Sequence, residues 1–411
     1  MALADHSQNI AELADFFRLS AYQTLDDEDR AARGQYFTPP TLAQFMAGMF
    51  SSPPAQVRLL DAGAGVGALT AAFVESCVSR ADDDKTPHGL PAAINATTFE
   101  IDPQLQPYLQ NTLDHCARHC AAYGVTFSDA VRQKDFIEDA VHILTAPLLV
   151  ADPPRYNRAI LNPPYRKINA KSDHRKWLRR AGIETSNLYT GFLALVIQLL
   201  EPGGELVAIT PRSFCNGPYF RPFRELFFRE MAFRRIHLFD AWDKAFGADD
   251  VLQENIIFHA VKGGKHDQVL ITTSESPADM TYSQRTVAHS QIINPADPNL
   301  FIHITANELE QQVVDRLNRF TCTLDDLAVG VSTGKVVDFR ARDHICDEPE
   351  AGAAPLIYPA HFVQNFVTWP RPEIRKPNAI RRNDETANML LPRGHYVAVK
   401  RFSSKEERRR I

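Results

Sequence analysis

Cysteine is scarce in this sequence: six residues are scattered over 411 positions, and their spacing does not form a disulfide framework. One local cluster combines cysteine with histidine, and it consists of His115, Cys116, His119 and Cys120. A helix would place like residues of this cluster one turn apart, which a metal could in principle bridge. We interpret the segment instead as a helix with small, partly buried thiols, and we expect no metal ion in the functional site.

Long hydrophobic runs are also missing, since no stretch of about 18 uninterrupted apolar residues occurs. The first residues, MALADHSQNIAELADFF, lack the basic and then apolar order of a secretory signal. We therefore expect no membrane partner and a cytoplasmic location. Apolar residues make up 44% and charged residues 23% of the chain, as is typical of globular proteins, and the length indicates more than one domain.

Positive charge is not in excess either. The net charge is −5, and this total alone argues weakly against a nucleic-acid partner. The distribution is uneven, because residues 371–411 carry twelve Lys and Arg against five Asp and Glu, a balance of +7. A second basic run, RKINAKSDHRKWLRR at 166–180, holds seven Lys and Arg and one Asp. Such runs are often only solvated faces, so their meaning depends on the motifs beside them.

Short apolar runs alternate with helix-periodic segments over the first half of the chain. This alternation predicts an α/β fold with a doubly wound, mainly parallel, Rossmann-like sheet. The runs RIHLFDAW and NIIFHAVKGG fit the far side of the same sheet. The expected organisation is an N-terminal helical segment at 1–32, the α/β domain at 33–265, a connecting region at 266–324 and a further domain at 325–411.

A glycine-rich turn, DAGAGVG at 61–67, follows the first apolar strand. Ligands of doubly wound sheets lie beyond the carboxyl ends of the strands, and glycines there let the main chain approach a ligand. The turn alone is a weak signal, since many nucleotide-binding proteins share it and a tight turn without a ligand remains an alternative. Glu100 ends the second strand, and Asp135 with Phe136 follows the third. Together the glycines and acids predict a site for an adenosine-bearing cofactor.

The sequence Asn162-Pro163-Pro164-Tyr165 follows an apolar run that we predict to be the fourth strand. The amino nitrogen of adenine is a poor nucleophile, because its lone pair is delocalised into the ring. The Asn162 side-chain oxygen and the Pro163 carbonyl could each accept one amino hydrogen, while Tyr165 offers an aromatic face to a base taken out of the helix. A Pro-stiffened turn is the plainer interpretation of these four residues taken by themselves.

The order of these motifs resembles the gamma-class N6-adenine DNA methyltransferases, and more narrowly the type II modification methylases of the XhoI and PstI kind. The resemblance covers roughly residues 33–260. The matching segments are, in order, GQYFTPP, LLDAGAGVGALT, FEID, KDF, LNPPY, NLYTGF and PGGELVAITPRSF. It implies that 33–265 is a catalytic domain that uses S-adenosylmethionine.

The resemblance also implies which residues hold the cofactor. Tyr36 and Thr38 would close over it, and Asp61 with Gly63 and Gly65 would approach its methionine part.

At the other end of the cofactor, Glu100 would hold the ribose and Ile101 would pack on the adenine, whose amino edge Asp135 and Phe136 would bind. Phe192 of NLYTGF matches a cofactor-stacking aromatic, although an aromatic at helix spacing is more often a core residue.

The catalytic residues implied in the same way are Asn162, Pro163, Pro164 and Tyr165. Relatives sandwich the flipped base with a second aromatic, for which Phe258 in NIIFHAVKGG is our candidate. The mechanism would need neither a metal nor a covalent enzyme–base intermediate.

Double-stranded DNA is the implied substrate. Phosphate contacts position a protein on DNA, and base contacts set the sequence that is read. The expected phosphate-binding side chains are Arg166, Lys167, Lys171, Arg175 and Lys176. Residues 325–411 would be a target-recognition region, which we expect to be shortened or incomplete because it stops at KEERRRI where relatives continue. The resemblance also implies a partner endonuclease that acts on the same DNA site.

Three other functions remain open. Some protein-glutamine methyltransferases use an NPPY element on a planar amide, but the GQYFTPP segment and the basic C-terminal region argue against this class. An RNA adenine methylase would usually lack the recognition-like extension. A non-catalytic DNA-binding module would require loss of Asn162, Tyr165 or the glycines, and all are present.

Overall fold

A computed structural model describes residues 10–24, 37–79, 89–146, 154–239, 254–275, 282–364 and 366–399. The chain forms two compact units, Met1–Val314 and Asp315–Ile411.

The first unit is built on a nine-stranded sheet with the strand order β3-β2-β1-β4-β5-β7-β6-β8-β9. Its strands are β1 (Gln56–Ala62), β2 (Ala93–Phe99), β3 (Thr126–Arg132), β4 (Tyr156–Leu161), β5 (Leu200–Pro211), β6 (Met231–Phe239), β7 (Asn255–Lys262), β8 (Gln268–Ser274) and β9 (Ser283–Ala288). The first five strands are parallel, whereas β7 pairs antiparallel with both β5 and β6. The predicted α/β class with a mainly parallel, doubly wound sheet is confirmed.

Helices cover both faces of this sheet. They are α1 (Ile10–Thr24), α2 (Pro40–Ala47), α3 (Ala68–Ser79), α4 (Gln106–Ala122), α5 (Phe136–Thr145), α6 (Asp173–Arg180), α7 (Leu188–Leu199), α8 (Arg221–Glu230), α9 (His289–Ile292) and α10 (Glu308–Leu317), the last of which crosses the boundary between the units. Helices α1 to α4 share one apolar cluster with Leu59, and α5 to α8 share another with Leu60. Since consecutive strand residues point to opposite faces, both leucines are fully buried.

The carboxyl ends of the central strands meet at one edge. Ala62 at the end of β1 pairs with Phe99 at the end of β2, and Leu161 at the end of β4 pairs with Ala208 of β5. The glycine turn, Glu100 and the NPPY sequence therefore emerge side by side.

The sheet continues beyond residue 265, where the sequence suggested a connecting region. Strand β8 pairs parallel with β6, and β9 pairs antiparallel with β8. The sequence signal weakens here because β9 is largely exposed and carries few apolar residues.

The second unit contains small sheets. Strands β10 (Ile345–Cys346), β11 (Ala354–Pro355) and β14 (Ala379–Ile380) form one, and β12 (Phe362–Val363) and β13 (Phe366–Val367) form another. Asn378 is buried and connects two segments of this unit. Its side-chain oxygen contacts His361 at 3.1 Å and accepts from the Arg371 N–H at 2.7 Å.

A buried charged cluster joins three strands of the first unit. Glu205 on β5 contacts Arg158 on β4 at 3.2 Å and His259 on β7 at 2.9 Å, and it accepts from the Ser51 N–H at 2.9 Å. Burial alone would raise the pKa of Glu205, but the hydrogen bond from His259 and the charge of Arg158 outweigh it and lower that pKa to about 2. Ionised Glu205 therefore holds the segment at residue 51 against the sheet.

Replacing Glu205 by Gln is expected to destabilise the chain at pH 7 and to reduce its sensitivity to acid. The folded-state pKa is depressed, so this stabilisation is complete above the unfolded-state value and is lost as the pH falls towards 2. Between pH 7 and pH 3 the wild type should lose about 2 kcal/mol through this group, and Glu205→Gln should not. Urea unfolding at the two pH values measures the difference. Glu201→Gln on the same strand removes only a surface pair with Arg58 and should change the stability by less than about 1 kcal/mol; equal acid sensitivity of wild type and Glu205→Gln would contradict the assignment.

Candidate active site

A cavity opens at the carboxyl edge of the sheet, which is where doubly wound sheets bind their ligands. Residues of the glycine turn, of the ends of β2 and β4, and of the start of α5 line it together. The sequence-predicted residues among its lining are Thr38, Gly63, Gly65, Glu100, Ile101, Asp135, Phe136, Asn162, Pro164 and Phe192. Segments distant in the sequence thus form one site.

The glycine turn brings main chain to the cavity wall. Gly63 and Gly65 have φ values of +89° and +58°, which L-residues with side chains rarely adopt. A Cβ at Gly65 would lie 3.2 Å from the Phe37 ring. Phe37 also lines the cavity and was not predicted as a site residue, although it lies inside the GQYFTPP segment.

Glu100 comes directly after β2 and is held by two main-chain donors. Its side-chain oxygens accept from the Gly65 N–H at 2.9 Å and from the Asp102 N–H at 2.8 Å. Burial raises the pKa of Glu100, and these two donors oppose that rise. The glycine turn and this acid therefore fix each other's positions.

Asp135 lies three residues beyond β3, at the N-cap of α5. One carboxylate oxygen accepts from the Glu138 N–H at 3.1 Å, and the other contacts His174 Nε2 at 2.7 Å. Burial would raise the pKa of Asp135, but the bond to His174 reverses the shift and lowers it. The same bond raises the pKa of His174. His174 was not expected at the site, since the basic run around it was predicted to contact DNA.

Asn162 lies directly after β4, with partners at both ends of its amide. Its Nδ2 is 3.3 Å from Thr38 Oγ1, and its Oδ1 accepts from the Tyr165 hydroxyl at 2.8 Å. The Tyr165 hydroxyl is also 3.2 Å from the Ile209 carbonyl oxygen on β5. Pro163 is buried and Pro164 lines the cavity. The amide is thereby oriented at the cavity wall.

Aromatic rings form the apolar side of the cavity. The Phe136 ring lies 5.0 Å from that of Phe192 and 5.1 Å from that of Phe99. Phe192 is 9% exposed and belongs to the core, and it also lines the cavity; its stacking on a cofactor stays a prediction. Ile101 is 55% exposed at the rim.

Two predicted cofactor residues differ from the rest. Asp61 is fully buried behind the turn, where it accepts from Thr70 Oγ1 at 2.7 Å rather than lining the cavity. Its pKa is raised to about 7 by burial and by the neighbouring charge of Glu100, against the hydrogen bond from Thr70. This buried position indicates that Asp61 stabilises the glycine turn from the core side. Tyr36 lies outside the described residues.

The structure contradicts the prediction that Phe258 stacks on a base. Its ring is fully buried on β7, 5.6 Å from that of Phe233, 5.7 Å from that of Phe227 and 6.1 Å from that of Phe214. Every neighbouring position of this strand is also buried, so the pattern of apolar residues did not indicate which side chains point towards the site.

The basic residues after the NPPY sequence fall into two groups. Lys167 and Lys171 are exposed, and no ion pair of the described chain includes them. Arg175 is bound to Glu184 at 2.7 Å and its side chain is only 17% exposed, while Lys176 pairs with Asp173 at 2.8 Å. Arg166 is exposed as well.

The amino-acid sequence is similar to those of known proteins over nearly its whole length. The family model described as Eco57I restriction-modification methylase matches residues 110–246. Type II methyltransferase M.PstI of Providencia stuartii is 42% identical over 97% of this chain and 76% of its own length. Type II methyltransferase M.BsuBI of Bacillus subtilis is 41% identical over 98% of this chain and 77% of its own length. The chain belongs to the type II methyltransferases of restriction-modification systems.

Among solved structures, the chain is similar to the DrdV–DNA complex, with a TM-score of 0.48 and 13% identity over 75% of this chain and 35% of that one.

None of the described helices of the methyltransferase combines the length and the apolar character that a membrane span requires. The described residues also contain no group of three or more His, Cys, Asp or Glu placed to hold a metal, and Cys116 and Cys120 are buried thiols.

The buried position of Phe258 predicts that its truncation acts on folding. Phe258→Ala should lower the free energy of unfolding by about 3 to 5 kcal/mol, through lost burial and the cavity left behind. Tyr219→Ala is the matched control, because Tyr219 is 80% exposed and its loss should change stability by less than about 0.5 kcal/mol. Thermal unfolding measures both changes in stability. Wild-type stability in Phe258→Ala would show that the Phe258 ring is not part of the core.

Proposed function

We propose that this methyltransferase is a site-specific DNA adenine N6-methyltransferase that moves the methyl group of S-adenosylmethionine to a flipped-out adenine. One observation carries the proposal: the Asn162 amide lies on the wall of the same cavity as Glu100 and Asp135. An acceptor for an amino group is thus combined with two acids suited to an adenosine.

The cavity residues fit S-adenosylmethionine. Gly63 and Gly65 bring bare main chain to the cavity wall, and a Cβ at Gly65 would crowd the Phe37 ring that also lines it. Glu100 suits the ribose hydroxyls, and Asp135 suits an adenine amino group beside the Phe136 ring. When bound, the cofactor supplies a methyl group on a sulfonium, which is already a good leaving group.

Further cofactor contacts belong to the proposal. Ile101 and Phe192 would pack on the adenine, and Thr38 would close one side of the cavity. Asp61 would act through the turn rather than by contact, because Thr70 engages its carboxylate.

The chain's own residues would act on the target adenine through the NPPY sequence. Asn162 Oδ1 and the Pro163 carbonyl would accept the two amino hydrogens and so direct the nitrogen lone pair. Pro163 and Pro164 would fix the backbone so that these acceptors converge. Tyr165 would stack on the base while its hydroxyl orients the amide. These preplaced acceptors stabilise the charge that develops on the nitrogen and cost no reorganisation during the reaction.

DNA would lie over the segment that follows Tyr165. Arg166, Lys167 and Lys171 are exposed there and suit phosphate contacts. Residues 325–411 would supply target recognition. Arg175 and Lys176 would contribute less, since acids already pair with them. In a restriction-modification system the methylation would protect sites from a partner endonuclease.

Asn162→Ala is expected to lower the methylation rate at least about 100-fold, because a preplaced acceptor of the developing charge is removed. Nucleoside mass spectrometry of mixed-sequence DNA incubated with S-adenosylmethionine would detect N6-methyladenine in the wild type. Asn111→Ala changes an exposed asparagine on α4 and should leave the rate unchanged.

Product on RNA or on protein glutamine, with none on DNA, would overturn the substrate assignment. Equal product from Asn162→Ala and wild type would overturn the role of Asn162.

Lys171→Ala is expected to weaken DNA binding and to reduce the salt dependence of the binding constant by about one in the logarithmic slope, the contribution of one phosphate contact. Lys265→Ala is the control, since β7 starts at the carboxyl edge and Lys265 follows its far end. Fluorescence anisotropy at several salt concentrations measures the slopes. Identical slopes for Lys171→Ala and Lys265→Ala would place the DNA elsewhere.

A further inference from the structure

His174 is the link between the basic segment and the cofactor cavity. It lies in the first turn of α6, and its Nε2 reaches Asp135 Oδ2 at 2.7 Å. Asp135 lines the cavity, whereas His174 comes from the run that also contains Lys171 and Arg175. His174 was not among the predicted site residues, and it contacts Asp135, an acidic residue of the site.

The contact fixes the rotation of the Asp135 carboxylate. Oδ1 accepts from the Glu138 N–H at 3.1 Å and Oδ2 contacts His174, so each oxygen has its own donor. The Ile137 N–H is a further donor to this carboxylate, which still leaves a lone pair for a donor from a ligand. A carboxylate held at both oxygens presents that lone pair in one direction, and the loss of the His174 donor would loosen this hold.

The surroundings keep His174 in place. Its ring meets the Trp177 ring edge-on at 5.6 Å, and Leu178 of the same helix is fully buried in the core that α5 shares. Arg166 and Asp173 are the other charged groups that act on it, with opposite effects on its charge. Asp135 is thus the partner that determines where the imidazole points.

We propose that His174 is a positioning residue, which holds the Asp135 carboxylate so that it accepts from the adenine amino group of the cofactor. The inference rests on the proposed function, because that function places the cofactor's adenine at Asp135. The competing account is that the pair only fastens α6 onto α5.

The experiment uses two ligands on the full chain, S-adenosylhomocysteine and its inosine analogue, in which a carbonyl oxygen replaces the adenine amino group. His174→Ala should weaken S-adenosylhomocysteine about tenfold, the effect of losing a hydrogen bond between charged groups. The inosine analogue brings no amino hydrogen to Asp135, so its affinity should change less than about twofold. Isothermal titration calorimetry measures both dissociation constants.

Conservative variants give the second readout. His174→Gln carries an amide nitrogen where Nε2 lies and should restore binding of S-adenosylhomocysteine to within about twofold of wild type. His174→Asn keeps a polar side chain that is too short to reach and should behave like His174→Ala. This variant also keeps the test decisive if alanine at position 174 prevents folding.

Equal loss for both ligands in His174→Asn would overturn the inference and favour the fastening account. Unchanged affinity of His174→Asn for S-adenosylhomocysteine would overturn it too. Failure of the proposed cofactor assignment looks different, because the wild type itself would then bind no S-adenosylhomocysteine.

Discussion

The pairing of β1 with parallel neighbours on both sides is the constraint on which the site of this methyltransferase depends. In the register found, Ala62 lies beside Phe99, and Leu60 lies beside Ala159 of β4. Because parallel strands end at the same edge, the glycine turn, Glu100 and Asn162 follow one another across that edge. A slip of β2 by one residue would turn Glu100 to the other face and remove its bond to the Gly65 N–H.

The elements that bear the site were predictable because each has a local signal. A parallel strand buried on both faces appears in the sequence as a short apolar run, and the residues after it are conspicuous when they are Gly, acids or Asn-Pro-Pro. Gly63, Glu100 and Asn162 could therefore be assigned to one site from the order of motifs, and they do line one cavity. Their chemical roles stay predictions, since position alone does not test them.

What the sequence could not show arises between strands. Glu205, Arg158 and His259 meet only because β4, β5 and β7 are neighbours, and no sequence pattern linked the three. The prediction that Phe258 stacks on a base was wrong for a related reason. All neighbours on β7 are buried, so the alternation that separates an inward from an outward side chain is missing there.

Asp135 shows how one residue can serve several purposes that a motif does not separate. As the N-cap of α5 it satisfies a main-chain donor of the first turn, and the helix dipole favours its ionised form. The contact with His174 adds a second donor from α6. The low pKa of this acid is therefore a product of its helix and its neighbour, and proximity to the strand end alone would not have produced it.

The partners of Asn162 explain how its oxygen can be both oriented and available. The Tyr165 hydroxyl has a single proton and two acceptors within reach, Asn162 Oδ1 at 2.8 Å and the Ile209 carbonyl at 3.2 Å. If an adenine amino group approaches Oδ1, as the proposed function requires, the proton can turn to Ile209. The partly buried hydroxyl then still has a partner, and the usual cost of an unsatisfied donor does not arise. Oδ1 can then accept from the amino group, while the contact of Nδ2 with Thr38 keeps the amide from rotating. In the proposed function the main chain of β5 would thus support the acceptor site, because it would take over the hydrogen bond of the Tyr165 hydroxyl.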